Sequence, residues 1–372
     1  MKKICFIVSS PMTANVFLKP IIFELSEKYN IHLACNFEDE ILKIAGISKI
    51  HKLPIGRKIS LVKDIVSLIK TYLFLKKNKF DAIHSITPKA GLISMIAGLI
   101  SKTPIRIHTF TGQVWANKSG ISKLALKQID KLISICSTHI LVDGKSQRKF
   151  LIKKKIIDQN STVLGNGSIS GVSLKRFKQS EAVRKLIRNK LGINDNDWVF
   201  MFLGRITYDK GITDLINAFL AIKNNHNQIL IIVGPDEEGI MPSINEKGKN
   251  IIYMPFTDKP EEILQVCDTF CLPSYREGFG LSVLEASALS KPIICSNIYG
   301  LKNTVIENKT GLKHKVKNID SIYEKLIFAL ENKNLMKEMG LNGRKYVKEK
   351  FSQEIVIKEW VKYYQKLFRL KK

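Results

Sequence analysis

Long apolar runs are missing from this sequence. The most apolar stretch, GLISMIAGLI (residues 91–100), falls well short of the roughly 18 residues that a membrane-spanning helix needs. The opening MKKICFIVSSPM imitates a secretory leader. Its apolar part, Ile4 to Val8, is too short for that role, and no small-residue cleavage site follows. The expectation is a cytoplasmic chain that does not cross a membrane. Cysteine is scarce, with six residues in 372. None forms a CxxC and no histidine pair completes a zinc pattern, which leaves buried reduced thiols as the expected state. Internal repeats and low-complexity segments are absent as well.

Acidic residues are the other shortage. Lys and Arg number 60 against 33 Asp and Glu, a net charge of +27. The imbalance is uneven. Residues 1–165 hold 27 Lys and Arg against 10 Asp and Glu, a balance of +17, and the longer remainder carries +10. Nucleic acid, anionic lipid and a phosphorylated acceptor are the partner classes that such a charge admits. No nucleic-acid recognition motif or aromatic-rich basic strand is present, so nucleic acid is not expected.

What is present is an alternation. Short β-branched runs at 2–9, 31–36, 49–54, 80–86, 104–110 and 138–143 read as strands, separated by segments with apolar residues every three to four positions. The Gly- and Ser-rich stretch from Val163 to Phe177 interrupts the rhythm. It then restarts with strands at 198–204, 228–234, 250–255, 268–274 and 292–297, and the tail from about Ile319 is helical. Strand–helix alternation builds parallel sheets covered on both faces. The expected fold is α/β with two doubly wound, Rossmann-like domains, residues 1–165 and 166–350, and a closing helix at 351–372.

The chemistry concentrates in SYREGFGLSVLEASALSKP, residues 274–292. Open parallel sheets bind ligands at the carboxyl ends of their strands, and this loop follows such a strand. Gly278 and Gly280 allow close backbone approach. With Phe279, they lead into a helix start at Leu281 and Ser282, whose free amides and dipole favour phosphate. Glu277 on the loop and Glu285 one turn into the helix can accept hydrogen bonds from vicinal sugar hydroxyls. An ordinary strand–loop–helix with exposed acids fits the spacing equally well. A second turn in the same half, FLGRITYDKG (202–211), presents Gly204, Arg205 and Lys210 at another carboxyl end, where two cations would stabilise charge on a departing diphosphate.

Together these stretches closely resemble glycosyltransferase family 4, the retaining transferases of the GT-B fold, with two Rossmann-like domains facing a central cleft. The similarity covers nearly the whole chain. Glu277 and Glu285 match the family's E-x7-E motif, which implies contacts to the donor sugar and the ribose respectively. Its phosphate-binding cations fall on Arg205 and Lys210, and its NG linker element on Asn166-Gly167. IHSITPKAG and IRIHTFTGQVW further resemble a bacterial subgroup that builds capsule, O-antigen and other lipid-linked glycans. The resemblance implies no essential metal or cofactor. It implies a nucleotide-sugar donor, expected to be a UDP-sugar with an N-acetylhexosamine among the candidates. The acceptor it implies is a polyprenyl-diphosphate-linked saccharide, with the chain peripheral on the inner face of the cytoplasmic membrane. Sugar-nucleotide epimerases also use twin Rossmann domains and are the alternative. The sequence departs from the family pattern at SSPMTANVF (9–17), where many members carry a Gly-Gly loop, and at Thr111, where many carry a histidine.

Acceptor-side candidates are therefore His84, His108 and Thr111, with the two histidines as readily structural as catalytic. Lys89 is read either as a contact to an acceptor phosphate or as a surface lysine. Asp195-x-Asp197 imitates a metal motif, but it precedes a strand and reads as a polar turn. Residues 58–79 form an amphipathic helix, with Val62, Ile65, Val66, Ile69 and Leu73 on one face and Lys63, Lys70 and Lys77 on the other. It reads either as a solvated cover over the sheet or as a basic surface that meets anionic lipid.

Overall fold

A computed structural model describes residues 1–37, 44–56, 60–223, 227–242 and 250–369. The chain divides into two compact units, Met1–Gly171 with Glu354–Lys372, and Val172–Gln353. Each is built on a six-stranded, all-parallel sheet. In unit 1 the strands are β1 (Lys3–Ile7), β2 (Asn30–Cys35), β3 (Lys49–Lys52), β4 (Ala82–Ile86), β5 (Ile105–Phe110) and β6 (His139–Val142), in the order β3-β2-β1-β4-β5-β6. In unit 2 they are β7 (Trp198–Leu203), β8 (Gln228–Val233), β9 (Ile251–Met254), β10 (Thr269–Leu272), β11 (Ile293–Ser296) and β12 (Gly311–His314), in the order β12-β11-β10-β7-β8-β9.

The central strands are buried along nearly their whole length because helices cover both faces. β1 and β7 are buried almost throughout. Eleven strands fall where the apolar runs place them. β12 is the addition: GLKH has a glycine and two polar residues in four, too little pattern to read, and it forms by pairing with β11.

The linker expectation put the boundary at 165/166, whereas the chain leaves unit 1 at 171/172. Residues 166–171 stay with unit 1 through hydrogen bonds from Ser168 N to Asp143 O (2.8 Å) and from Trp360 Nε1 to Ile169 O (2.9 Å). Trp360 and Tyr364 lie on the closing helix, Gln353–Arg369, and enter the unit 1 core beside Phe6 and His84. Residues 370–372 of the expected tail lie outside the described residues. None of the six cysteines forms a disulfide and all are buried, Cys5, Cys35 and Cys136 in unit 1 and Cys267, Cys271 and Cys295 in unit 2.

The 61–78 helix, read either as a solvated cover or as a basic surface that meets lipid, does not bury its apolar stripe. Its buried side chains are Ser67, Thr71 and Leu75. Its apolar stripe faces solvent, and the lysines flank that stripe rather than oppose it. Residues 58 and 59 of the expected helix lie outside the described residues. The Asp195–Asp197 segment is a turn: Asp197 Oδ2 accepts from Asn194 N (2.7 Å) and Arg188 binds the carbonyls of Asn194 and Asp197 (2.6 and 2.8 Å). Among the described residues no helix is long and apolar enough to cross a membrane.

The closing helix tests the unit 1 core. Trp360→Ala removes a fully buried indole and should cost about 3–5 kcal/mol. Urea denaturation followed by circular dichroism checks this.

Candidate active site

At the carboxyl ends of β7 and β10, two loops are tied together through backbone and side chains. β7 runs out into Gly204 and Arg205, then a short turn at Tyr208–Lys210, then the Ile212–Leu220 helix. Gly211 links the turn to the helix at φ +66°, and a Cβ there would lie 2.2 Å from Pro273 O. Only glycine permits both that conformation and that approach. Tyr275 N donates to Asp209 O (2.9 Å), Tyr275 Oη to Asp214 Oδ2 (2.8 Å), and Arg276 Nε pairs with Asp209 Oδ2 (2.9 Å). This lacing sets Lys210 Nζ 2.5 Å from Glu277 Oε1, which also accepts from Ser274 Oγ (2.8 Å). Gly300, in the loop after β11, packs so closely on Glu277 that a Cβ would lie 2.1 Å from its carbonyl oxygen.

Gly280 caps the Leu281–Ala288 helix. The amides of Leu281 and Ser282 make no hydrogen bond to a described residue. Glu285 is half-buried on this helix, and its carboxylate has no hydrogen-bond or ion-pair partner among the described residues. Burial pushes its pKa up to about 8, with Arg176 opposing and Glu261 reinforcing the rise. Those two are themselves joined, Arg176 Nη2 to Glu261 Oε2, at 2.7 Å. Arg205 is half exposed and pairs with Glu237 Oε2 at 2.7 Å, from the loop after β8. Phe279, expected among the ligand contacts, is instead buried edge-on against Phe351 at 5.4 Å. Its side chain anchors the loop, and Gly280 is buried beside it, leaving Gly278 and the helix start at Leu281 and Ser282 as the partly exposed backbone.

The sequence reading thus finds Gly204, Arg205, Lys210, Glu277, Leu281, Ser282 and Glu285 on the rim of one sheet. It passed over Ser274, Tyr275, Asp209, Arg176, Glu237 and Gly300. Arg276 and Tyr275 stood in the same quoted motif. The partners on other loops carry no local signal.

In unit 1 the structure corrects two candidates. His84 is fully buried, with Nδ1 2.7 Å from Tyr364 Oη and Nε2 2.7 Å from Thr109 Oγ1. It is stacked between Phe6 and Trp360. His108 is buried with Nδ1 2.8 Å from Ser85 Oγ. Burial holds the His84 pKa well below its ordinary value and lowers that of His108 to about 3. Both rings are neutral core residues, and neither reaches a surface where an acceptor could meet it. Lys89 is ion-paired with Asp64 at 2.6 Å and largely buried. Thr111 is half-buried at the end of β5, where its carbonyl accepts from Gln113 Nε2 (2.5 Å) and from Gln147.

Two further features of unit 1 had no sequence signal. Thr87, after β4, takes φ +82° and donates to Ser9 Oγ (3.3 Å), in the loop after β1. A β-branched residue at positive φ is strained, and β1/β4 is where this sheet's strand order reverses, the crevice position of doubly wound folds. Asp143, after β6, is buried with Oδ1 lacking a partner among the described residues, and burial raises its pKa to about 7. It lines a small cavity with Thr109, Gly167, Ser168 and Trp360.

Two doubly wound parallel domains, one with a basic, glutamate-bearing rim at its carboxyl edge, define the GT-B class of glycosyltransferase. The chain aligns over its whole length with the solved structure of sucrose-phosphate synthase from Thermosynechococcus elongatus, at a TM-score of 0.83 and 19% identity, covering 100% of both chains. Residues 183–346 match the family described as glycosyl transferases group 1, and residues 3–136 match glycosyl transferase 4-like. The chain is 31% identical to the capsular polysaccharide biosynthesis glycosyltransferase CapM of Staphylococcus aureus, over 96% of this chain and 95% of that one. It is 29% identical to the Escherichia coli UDP-Gal:alpha-D-GlcNAc-diphosphoundecaprenol alpha-1,3-galactosyltransferase, over 84% of each. The chain belongs to the group 1, family 4-like glycosyltransferases, and is an enzyme of that kind.

Glu285 makes a prediction of its own. A carboxyl raised from its ordinary 4.5 to about 8 takes up a proton on folding between those values, so its ionisation destabilises the fold as pH climbs through that window. Glu285→Gln removes the penalty. Its melting temperature relative to the parent should rise steadily from pH 5 to pH 8, measured by calorimetry without ligand.

Proposed function

We propose that the chain transfers a hexosyl or N-acetylhexosaminyl group, with retention, from a UDP-sugar to a polyprenyl-diphosphate-linked saccharide in bacterial surface polysaccharide synthesis. The observation that carries this reading is the pair of glutamates with opposite environments. Glu277 is ion-paired and hydrogen-bonded, whereas Glu285 has no partner among the described residues and sits where burial disfavours its charge. A half-buried carboxylate that the protein leaves unpartnered is suited to accept hydrogen bonds from ribose hydroxyls. The names of the two relatives support the donor and acceptor classes, since one specifies UDP-Gal and a diphosphoundecaprenol saccharide and the other capsule synthesis. Both are transferases, so the epimerase and nucleic-acid readings are not favoured.

In this reading the diphosphate lies on the amides of Leu281 and Ser282. Arg205 exchanges Glu237 for a phosphate oxygen, and Lys210, steadied by Glu277, faces the bridging oxygen. As the bond between sugar C1 and phosphate oxygen breaks, these donors stabilise the growing negative charge without reorganising. The acceptor hydroxyl attacks C1 from the face the diphosphate leaves. Its proton passes to the departing phosphate oxygen, so no general base from the protein is required. Cations and helix amides perform the task that a metal would otherwise perform, and the transfer proceeds without one. Unit 1 receives the acceptor, with Thr111 and the Ser9–Thr87 pair on its carboxyl rim. Because such acceptors are lipid-linked, the enzyme works on the anionic inner face of the cytoplasmic membrane, where the +17 of residues 1–165 favours attachment.

A panel of nucleotide-sugars, each assayed with a lipid-linked acceptor, tests the reaction. Glu285→Ala should weaken binding of UDP itself by about tenfold to a hundredfold, the worth of a charge-assisted hydrogen bond. Unchanged UDP affinity in the folded variant would remove Glu285 from the ribose site.

The cations give a separate test. Arg205→Ala and Lys210→Ala should each lower turnover by about a hundredfold or more, with activity surviving EDTA. Activity lost in EDTA and restored by magnesium or manganese would assign the phosphate charge to a metal.

A further inference from the structure

The 61–78 helix is turned inside out relative to an ordinary covering helix. A helix on a soluble domain buries its apolar stripe and exposes its polar one. Here the buried side chains include the hydroxyls of Ser67 and Thr71: Ser67 Oγ lies within hydrogen-bond distance of Pro54 O and of Lys63 O (2.7 Å), and Thr71 Oγ1 donates to Ser67 O (2.7 Å). The stripe of Val62, Ile65, Val66, Ile69 and Leu73 is between 42% and 74% exposed. The Gly120–Cys136 helix repeats the pattern. Its Ile121, Leu124, Leu132 and Ile135 are between 40% and 87% exposed. Both helices pack on the Pro88–Ile100 helix that lies between them, and together the three cover one face of the unit 1 sheet. That helix ends in exposed Leu99 and Ile100. Apolar surface of this extent marks an interaction site.

The charges on these helices settle which partner suits the surface. Lys63, Lys70, Lys76 and Lys77 are exposed on the first helix and Lys131 on the other, beside half-buried Lys123 and Lys127. The two helices contain two acids, and both point inward. Asp64 pairs with Lys89 at 2.6 Å and accepts from Ser60 N at 3.2 Å, and Asp130 is buried against Trp115 Nε1 at 2.7 Å. The outward face is therefore apolar and basic with no outward carboxylate. Two copies of the chain meeting on it would set lysine rows against each other with nothing to neutralise them. An anionic bilayer supplies phosphates for the lysines and an acyl boundary for the stripe.

We infer that helices 61–78 and 120–136 form a membrane-docking face whose apolar stripes insert at the headgroup–acyl boundary while the flanking lysines pair with anionic headgroups. This deepens the proposed function by naming the surface and the mode of attachment. Attachment held by charge alone is screened away by salt, whereas inserted apolar side chains hold in salt.

Co-sedimentation of the full chain with phosphatidylglycerol-containing and purely phosphatidylcholine vesicles tests it. The parent should bind anionic vesicles and retain a measurable part of that binding in high salt. The triple variant V62S/I69S/L73S, whose side chains make the surface only more polar, should bind at least tenfold more weakly at any salt and lose the salt-resistant part entirely. K63Q/K70Q/K77Q should lose the salt-sensitive part and keep the other. Circular dichroism and UDP affinity of both variants should match the parent. A serine variant that sediments like the parent would overturn the proposal. So would a parent that is dimeric by analytical ultracentrifugation and becomes monomeric on serine substitution, since the face would then join two copies. Transfer to a short-chain, water-soluble acceptor separates this from the function itself. If docking is right, the serine variant keeps that activity and loses transfer to vesicle-borne acceptor. If it transfers equally to both, docking on this face is refuted while the reaction stands.

Discussion

Close backbone approach between neighbouring loops is the constraint on which the glutamate-bearing rim of unit 2 depends. The turn after β7 lies against Pro273 through Gly211, and the loop after β11 lies against the Glu277 backbone through Gly300. Neither contact has room for a single methyl group. Because the loops touch there, Tyr275 and Arg276 can reach Asp214 and Asp209, and Lys210 can reach Glu277. The ion pair is thus a product of backbone geometry rather than its cause. Side-chain attraction across a flexible gap would be worth little, whereas two loops already in register order the same charges at small entropic expense.

Electrostatics then sorts the acids of the rim into two kinds. Glu237 and Glu277 neutralise Arg205 and Lys210 and hold those cations in place. Glu285 has no cation bonded to it and resists ionisation. A group of that kind lowers the stability of the free protein and gains by accepting hydrogen bonds from a ligand, the usual opposition between stability and function at a binding site.

The alternation of strands and helices was legible because a two-sided parallel sheet forces continuous apolar runs, and eleven of twelve strands sit on such runs. β12 was not, because GLKH is held by its neighbour rather than by its own pattern. The E-x7-E spacing was legible because both acids and the helix start fall within one local motif. The ionic partners lie on other loops, where nothing in the spacing points to them. His84 and His108 misled for a physical reason. A histidine near a strand's carboxyl end looks the same in sequence whether it faces a crevice or the core, and here Thr109, Tyr364 and Ser85 satisfy the rings inside. The 61–78 helix left two readings open for the same reason: periodicity identifies an apolar face but not the direction in which it points.

The even division of the cysteines has a practical consequence. Three thiols lie in each unit, all buried, and burial raises the pKa of Cys5, Cys136, Cys267, Cys271 and Cys295. A thiol in that state reacts with an alkylating reagent only when the structure around it opens. The protein therefore carries an intrinsic reporter for each half. Peptide mapping of alkylated Cys5 and Cys136 against Cys267, Cys271 and Cys295 reads out, in one unmodified chain, whether the two sheets open together or one at a time, and which of them a bound nucleotide holds shut.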